Sequence, residues 1–109
     1  MLKIEQIKKV LVINGWIKDS HGNFKKETHG KQYRYKFNAQ SYRKEVYDAQ
    51  FKRWIKVGGM YYKQVTCYLW EDINGREFGK IVFFAYEEKF DKMLDKAVND
   101  GKISTWKKL

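Results

Sequence analysis

A chain of 109 residues with 43% hydrophobic and 17% aromatic side chains carries core material for a single domain spanning residues 1–109, and excludes a disordered chain despite 33% charged residues. One cysteine, Cys67, excludes an internal disulfide, and with only His21 and His29 beside it no zinc-binding spacing exists, so neither metal nor cofactor is expected. The 23 Lys and Arg against 13 Asp and Glu give a net charge of +10, a field that attracts polyanions such as nucleic acid, an anionic membrane surface or an acidic protein face.

In chain order, Ile4, Ile7, Val10 and Leu11 recur at helical spacing and Gly15 follows where a C-terminal cap belongs, so residues 2–14 read as an amphipathic helix. Trp16-Ile17-Lys18 and Phe24-Lys25-Lys26 flank the turn formers Asp19-Ser20-His21-Gly22-Asn23 and read as a hairpin. A second turn at His29-Gly30 leads into residues 31–38, whose alternation puts Tyr33, Tyr35 and Phe37 on a core face and Gln32, Arg34, Lys36 and Asn38 on a basic one. Residues 41–47 and 51–57 carry looser strand patterns, and Gly58-Gly59 is expected to break the chain before the next strand. Met60 to Trp70 and Arg76 to Ala85, joined through Asn74-Gly75, form a hairpin for which a type I′ turn is expected. From Tyr86 the period becomes helical, with Phe90, Met93, Leu94, Ala97 and Val98 on one stripe and Gly101 as the stop, and residues 102–109 either dock through Ile103 and Trp106 or stay loose. The expected fold is α+β: an N-terminal helix, a curved antiparallel sheet of about five to six strands packed by one face on both helices, and a C-terminal helix.

No apolar run approaches the ~18 residues of a membrane span. The Met-Leu-Lys-Ile-Glu-Gln start is broken by acid and base before a signal-peptide core develops. No membrane partner is expected, and the location expected is cytoplasmic. Residues 1–65 hold 15 basic and 5 acidic side chains, whereas residues 66–109 hold eight of each, so the whole charge excess belongs to the first part. Of the cations 19 are Lys and four are Arg, a bias suited to phosphates more than to base edges. Abundant Lys and Asn with no Pro is also what an AT-rich reading frame yields, as in a phage, plasmid or low-GC prokaryote.

The candidate nucleic-acid-binding residues are Lys25, Lys26, Lys31, Arg34, Lys36, Arg43, Lys52, Arg53, Lys56 and Lys63, cations interleaved with aromatics, together with Tyr61 and Tyr62 beside the flexible Gly58-Gly59 as exposed rings. The expected function is a small basic protein that binds DNA or RNA through its backbone with low sequence specificity. The alternative partner is an acidic or nucleic-acid-binding protein surface, as for an inhibitor encoded by a mobile element. No catalytic residue is expected: the serines lack a His/Asp arrangement, Cys67 alternates within a strand, and His21 in its turn is expected to face solvent.

Two segments resemble known families. Arg76-Glu77-Phe78-Gly79-Lys80-Ile81-Val82-Phe83, with the following helix and Asn99 to Ile103, looks like the third strand, second helix and final connection of an RNA-recognition motif, which implies an aromatic strand that stacks bases. Ile4 to Phe24, with Asn14-Gly15-Trp16 and Ser20-His21-Gly22, is similar to HicA-type mRNA interferase toxins, a resemblance that implies His21 as a general base for RNA cleavage.

Overall fold

The computed structural model describes all 109 residues, in an α+β fold of two helices and eight strands arranged as two antiparallel sheets. The chain divides into two compact units, one made of Met1–Asn14 with Lys63–Leu109 and the other of Gly15–Tyr62.

In the first unit, helix α1 (Lys3–Ile13) buries Ile7, Val10 and Leu11, the i, i+3, i+4 stripe expected of it. Strands β6 (Val65–Asp72), β7 (Glu77–Phe83) and β8 (Ile103–Lys108) form a sheet in the order β7-β6-β8. Helix α2 (Glu87–Asn99) packs Phe90 and Leu94 on Tyr68, Val82 and Ile103, with Trp70, Ala97 and Trp106 around them. Tyr68 and Val82 lie on the opposite face of the sheet from Leu69 and Gly79, whose neighbour is Val10 of α1. The two helices therefore cover the two faces of this sheet, and the expectation that both pack on one face is corrected. Covering on both sides explains why Val65, Cys67, Tyr68 and Leu69 of the central strand are all buried. A Cβ on Gly79 would meet Leu69 Cδ2 at 3.0 Å and Val10 Cγ1 at 3.2 Å, so glycine is what lets α1 approach.

The α2 stripe is narrower than its spacing implies, because Met93 is 57% exposed. The helix ends as expected at Gly101 (φ 71°), where the N–H groups of Gly101 and Lys102 reach back to the carbonyls of Val98 and Ala97. Residues 103–108 are not a loose tail but the strand β8, paired along β6 from Asp72↔Ile103 to Tyr68↔Lys108.

The second unit is a five-stranded meander, β1 (Ile17–Lys18), β2 (Phe24–Thr28), β3 (Lys31–Phe37), β4 (Ser41–Asp48) and β5 (Arg53–Tyr61), with each strand antiparallel to the next. The His29-Gly30 turn has positive φ at both residues (53° and 76°), the type I′ geometry that suits a two-residue hairpin. The Asn74-Gly75 hairpin forms without it: only Gly75 has positive φ (79°), and the Asp72 carboxylate accepts the N–H groups of Asn74 and Arg76. Asp19 closes residues 19–23 in the same way, accepting from His21 and Asn23 at 2.9 Å each.

Gly58-Gly59 does not break the chain. β5 runs through both glycines, and a bulge at Val57 shifts the register so that Glu45 pairs with Lys56 and Lys44 with Gly58. The next strand is delayed instead by a 3₁₀ turn at Tyr62–Gln64, where Tyr62 N–H bonds to the Gln40 carbonyl and its hydroxyl to that of Asn38.

Candidate nucleic-acid interface

Alternation in the meander sorts the side chains cleanly. Pairing Phe24↔Tyr35↔Lys44 and Phe37↔Tyr42 puts Phe24, Tyr33, Tyr35, Phe37 and Tyr42 on one face, with Trp16 edge-on to Tyr35 at 4.6 Å. The opposite face carries Lys25↔Arg34↔Glu45↔Lys56 across four strands and Lys36↔Arg43↔Gly59 beside them. This is the basic face that alternation in residues 31–38 implied.

Its centre is an acid that sequence reading passed over. Glu45 is buried, with Oε1 2.6 Å from Arg34 Nε and Oε2 3.0 Å from Arg43 Nε. One carboxylate thus faces two guanidiniums: it accepts a charge-assisted hydrogen bond from Arg34 and forms an ion pair with Arg43, whose Nε is not aligned for a hydrogen bond. The Arg34 guanidinium also lies 4.1 Å from the centre of the Trp54 ring, which Tyr47 flanks at 5.3 Å. Glu45 could have been found from the Arg34 register, because the turn at residues 38–41 places them directly opposite.

Lys25 pairs with Asp19 at 3.3 Å. Withdrawal from water pulls the Asp19 carboxyl up, but bonds from the Asn23 and His21 amides and from Lys25 outweigh it and hold it below 3.8. Lys36 and Lys56 make no ion pair and stand free on the same face, and Tyr61, opposite Ser41, is 53% exposed there.

Of the other expected residues, Lys26 and Lys31 fall on the aromatic side of the alternation, and Lys52 (φ 52°) and Arg53 sit at the β4–β5 loop, with Arg53 over Phe51 at 5.4 Å. Tyr62 is no exposed ring: it is half-buried, stacks on Tyr42 at 6.4 Å, and spends its hydroxyl on Asn38. Lys63 belongs to the other unit. Lys44 was not anticipated; it lies on the aromatic face with its Nζ 5.0 Å from the Tyr33 ring and 5.8 Å from those of Trp16 and Tyr35.

The stacking strand that an RNA-recognition motif implies is not open here. Phe78 stacks on Trp70 on the face that α2 covers, and the sheet has three strands where that family has four. His21 sits exposed at the tip of its turn, its amide bonded to Asp19 and its ring bonded to no acid or second imidazole. Burial pushes the Cys67 thiol up to about 11, the state of an inert core thiol. No helix is long and apolar enough to cross a membrane. No protein-family model, curated protein or solved structure matches this chain.

Proposed function

We propose that this protein is a non-enzymatic nucleic-acid binder that grips the phosphate backbone, with little base specificity, on the basic face of its meander. The observation that supports this most directly is the row Lys25, Arg34, Lys36, Arg43 and Lys56 on one face of one sheet, with Trp54 and Tyr61 beside it. The meander holds 11 basic and 4 acidic side chains, so most of the net charge belongs to this unit. Free ammonium groups at Lys36 and Lys56 serve phosphates, and the pre-set Arg34 and Trp54 offer a flat cation and ring for a base or sugar.

The test is fluorescence anisotropy with single- and double-stranded DNA and RNA oligonucleotides across salt. Log K should fall by about 0.7–0.9 for each phosphate contacted as log salt rises. The labelled RNA should stay intact throughout, in the parent and in His21→Ala alike. A flat salt dependence removes the electrostatic reading, and fragments that vanish in His21→Ala replace it with a nuclease.

A second reading draws on Ile17, 74% exposed on the same face as Lys25, and on the exposed Tyr61. Exposed apolar groups among lysines also suit an acidic protein face, the surface a mobile-element inhibitor would occupy. Oligonucleotides that bind weakly while an acidic nucleic-acid-mimicking protein binds tightly and displaces them would favour it.

A further inference from the structure

The edge of β7 and the start of α2 form a second surface, on the unit that the nucleic-acid reading does not use. β7 is an edge strand, paired only with β6. Asp72 N–H bonds to the Arg76 carbonyl, so with the register Trp70↔Phe78 and Tyr68↔Lys80 the even-numbered residues of β7 bond inward and the odd-numbered ones turn their N–H and C=O groups outward. The Asn14 side-chain amide takes the outward carbonyl of Gly79 at 3.0 Å. Farther along the edge, Ile81 presents its N–H and C=O outward and Phe83 its N–H, with no strand partner, while the Phe83 carbonyl opens the 3₁₀ turn Phe84–Tyr86.

Beside these two residues runs a groove of about 220 Å³ between β7 and α2, lined by Lys80, Val82, Tyr86, Lys89, Phe90 and Met93. Its floor is apolar and its rim is cationic. The carboxylates of the first turn of α2 are already engaged, Glu87 with Lys108 and Glu88 with Lys92, while Lys80 and Lys89 have no acidic partner. Met93 and Tyr86, 57% and 61% exposed, are apolar side chains left uncovered at the same place.

We propose that the Ile81–Phe83 edge is a docking site for an extended acidic peptide segment, which adds as a fourth strand beside β7. The backbone supplies the pairing groups. A peptide residue opposite Val82 drops an aliphatic side chain into the groove, and its neighbours two positions away bring carboxylates to Lys80 and towards Lys89. Charge decides between this occupant and a second copy of the chain, because a copy paired antiparallel about Val82 sets Phe84, not an acid, opposite Lys80 and adds another Lys80 and Lys89 to the rim. A carboxylate partner turns the same lysines into an attraction.

The probe is Ac-Thr-Glu-Thr-Leu-Thr-Glu-Thr-NH2, whose palindromic sequence sets one Glu against Lys80 in either strand direction. Titrated into ¹⁵N-labelled full-length protein, it should shift the Ile81 and Phe83 amide resonances saturably. N-methylation of the two threonines beside the leucine, which removes the pairing N–H groups and keeps every side chain, should weaken binding tenfold or more. The double variant Lys80→Glu and Lys89→Glu, both exposed and outside the core, should lose at least tenfold for this peptide and gain for the same peptide with both Glu replaced by Lys. The proposal is overturned by Ile81 and Phe83 resonances that stay fixed, or by an N-methylated peptide that binds as well. It is equally overturned if those amides move on raising protein concentration alone or on adding an oligonucleotide, outcomes that assign the edge to a second copy or to nucleic acid.

Discussion

Lys108 places its ammonium 2.8 Å from the Asp91 carboxylate and so ties the end of β8 to α2. The same carboxylate accepts the hydroxyl of the wholly buried Tyr68, and Lys108 also reaches Glu87 at 2.9 Å. Partial withdrawal from water pulls Asp91 up, but the bonds from Lys108 and Tyr68 outweigh it and hold its carboxyl below 3.8. Its bond to Asp91, then that to Glu87, raises Lys108 above its ordinary 10.5. Burial, then the bond to Asp91, pushes the Tyr68 phenol up as well.

A carboxyl more acidic in the folded chain binds fewer protons there than in the unfolded chain. The stability it adds is therefore full above the unfolded value of ~3.9 and is lost as pH falls through the lower folded value. Lys108 acts in mirror image: its contribution is full below ~10.5 and fades only as pH rises through its raised value. Asp91→Ala leaves the Tyr68 hydroxyl only its 3.3 Å bond to the Glu87 carbonyl. It should cost about 1–3 kcal/mol at pH 7, a loss of several degrees in Tm for a chain this size. Circular-dichroism melts check it: the gap between parent and variant should be wide at neutral pH and narrow as pH falls below the ordinary carboxylate range, and a gap independent of pH would mean that this carboxylate is not the charged keystone of the contact.

Gly58 and Gly59 are neighbours in β5 with opposite requirements. A Cβ on Gly59, at φ 146°, would lie 2.5 Å from the Tyr42 carbonyl oxygen and 2.9 Å from Arg43 Cα, backbone atoms that cannot move aside without parting β4 from β5. A Cβ on Gly58 would meet only Lys44 Cβ at 3.8 Å. Gly59→Ala should destabilise by at least about 1–3 kcal/mol, whereas Gly58→Ala should be neutral or stabilise by up to about 1 kcal/mol through the unfolded chain. Urea unfolding of the two variants decides it; equal costs would mean that the bulge at Val57 and the register around it are misplaced.

What was legible in the sequence was what local chemistry decides. Tyr33-Arg34-Tyr35-Lys36 alternates so regularly that the basic and aromatic faces follow from it alone, and Phe90 and Leu94 with Gly101 mark a helix and its end. What was not legible depends on pairing across distance. Gly58-Gly59 reads as a break until Tyr42 is known to lie against it. Ile103 and Trp106, three residues apart, break strand alternation, and only the bulge at Ser104 in the pairing with β6 brings both to the face under α2. Asp95 lies off the apolar stripe of α2, where spacing names no partner for it, and it accepts the Trp106 indole N–H at 3.0 Å. The division into two sheets was hidden for the same reason, since each strand looks alike whichever neighbour it joins. Glu45 illustrates the cost at the site, where one acid among many cations was passed over and lies between Arg34 and Arg43.

That organisation yields the sharpest test of the interface. Glu45→Gln keeps the shape of the side chain and removes the charge that Arg34 and Arg43 now share. Breaking a fully buried pair costs about 3–5 kcal/mol, but Arg43 is half-exposed and regains water, so a loss of about 1–3 kcal/mol is expected. Binding should move the other way. With two guanidiniums released to a phosphate chain, Glu45→Gln should bind oligonucleotides more tightly than the parent at low salt. Its log K against log salt should steepen by about 0.7–0.9 for each added contact. Arg34→Glu with Lys36→Glu should weaken binding by tenfold or more, while Lys92→Glu with Lys96→Glu on α2 imposes the same change of net charge on the other unit and should have little effect. Stability, affinity and slope are read on the same samples, so a variant that merely unfolds is recognised by its melt. If Glu45→Gln folds and binds no better, the guanidiniums of Arg34 and Arg43 are not part of the grip; if the two double reversals weaken binding equally, only bulk charge counts and the basic face has no special role.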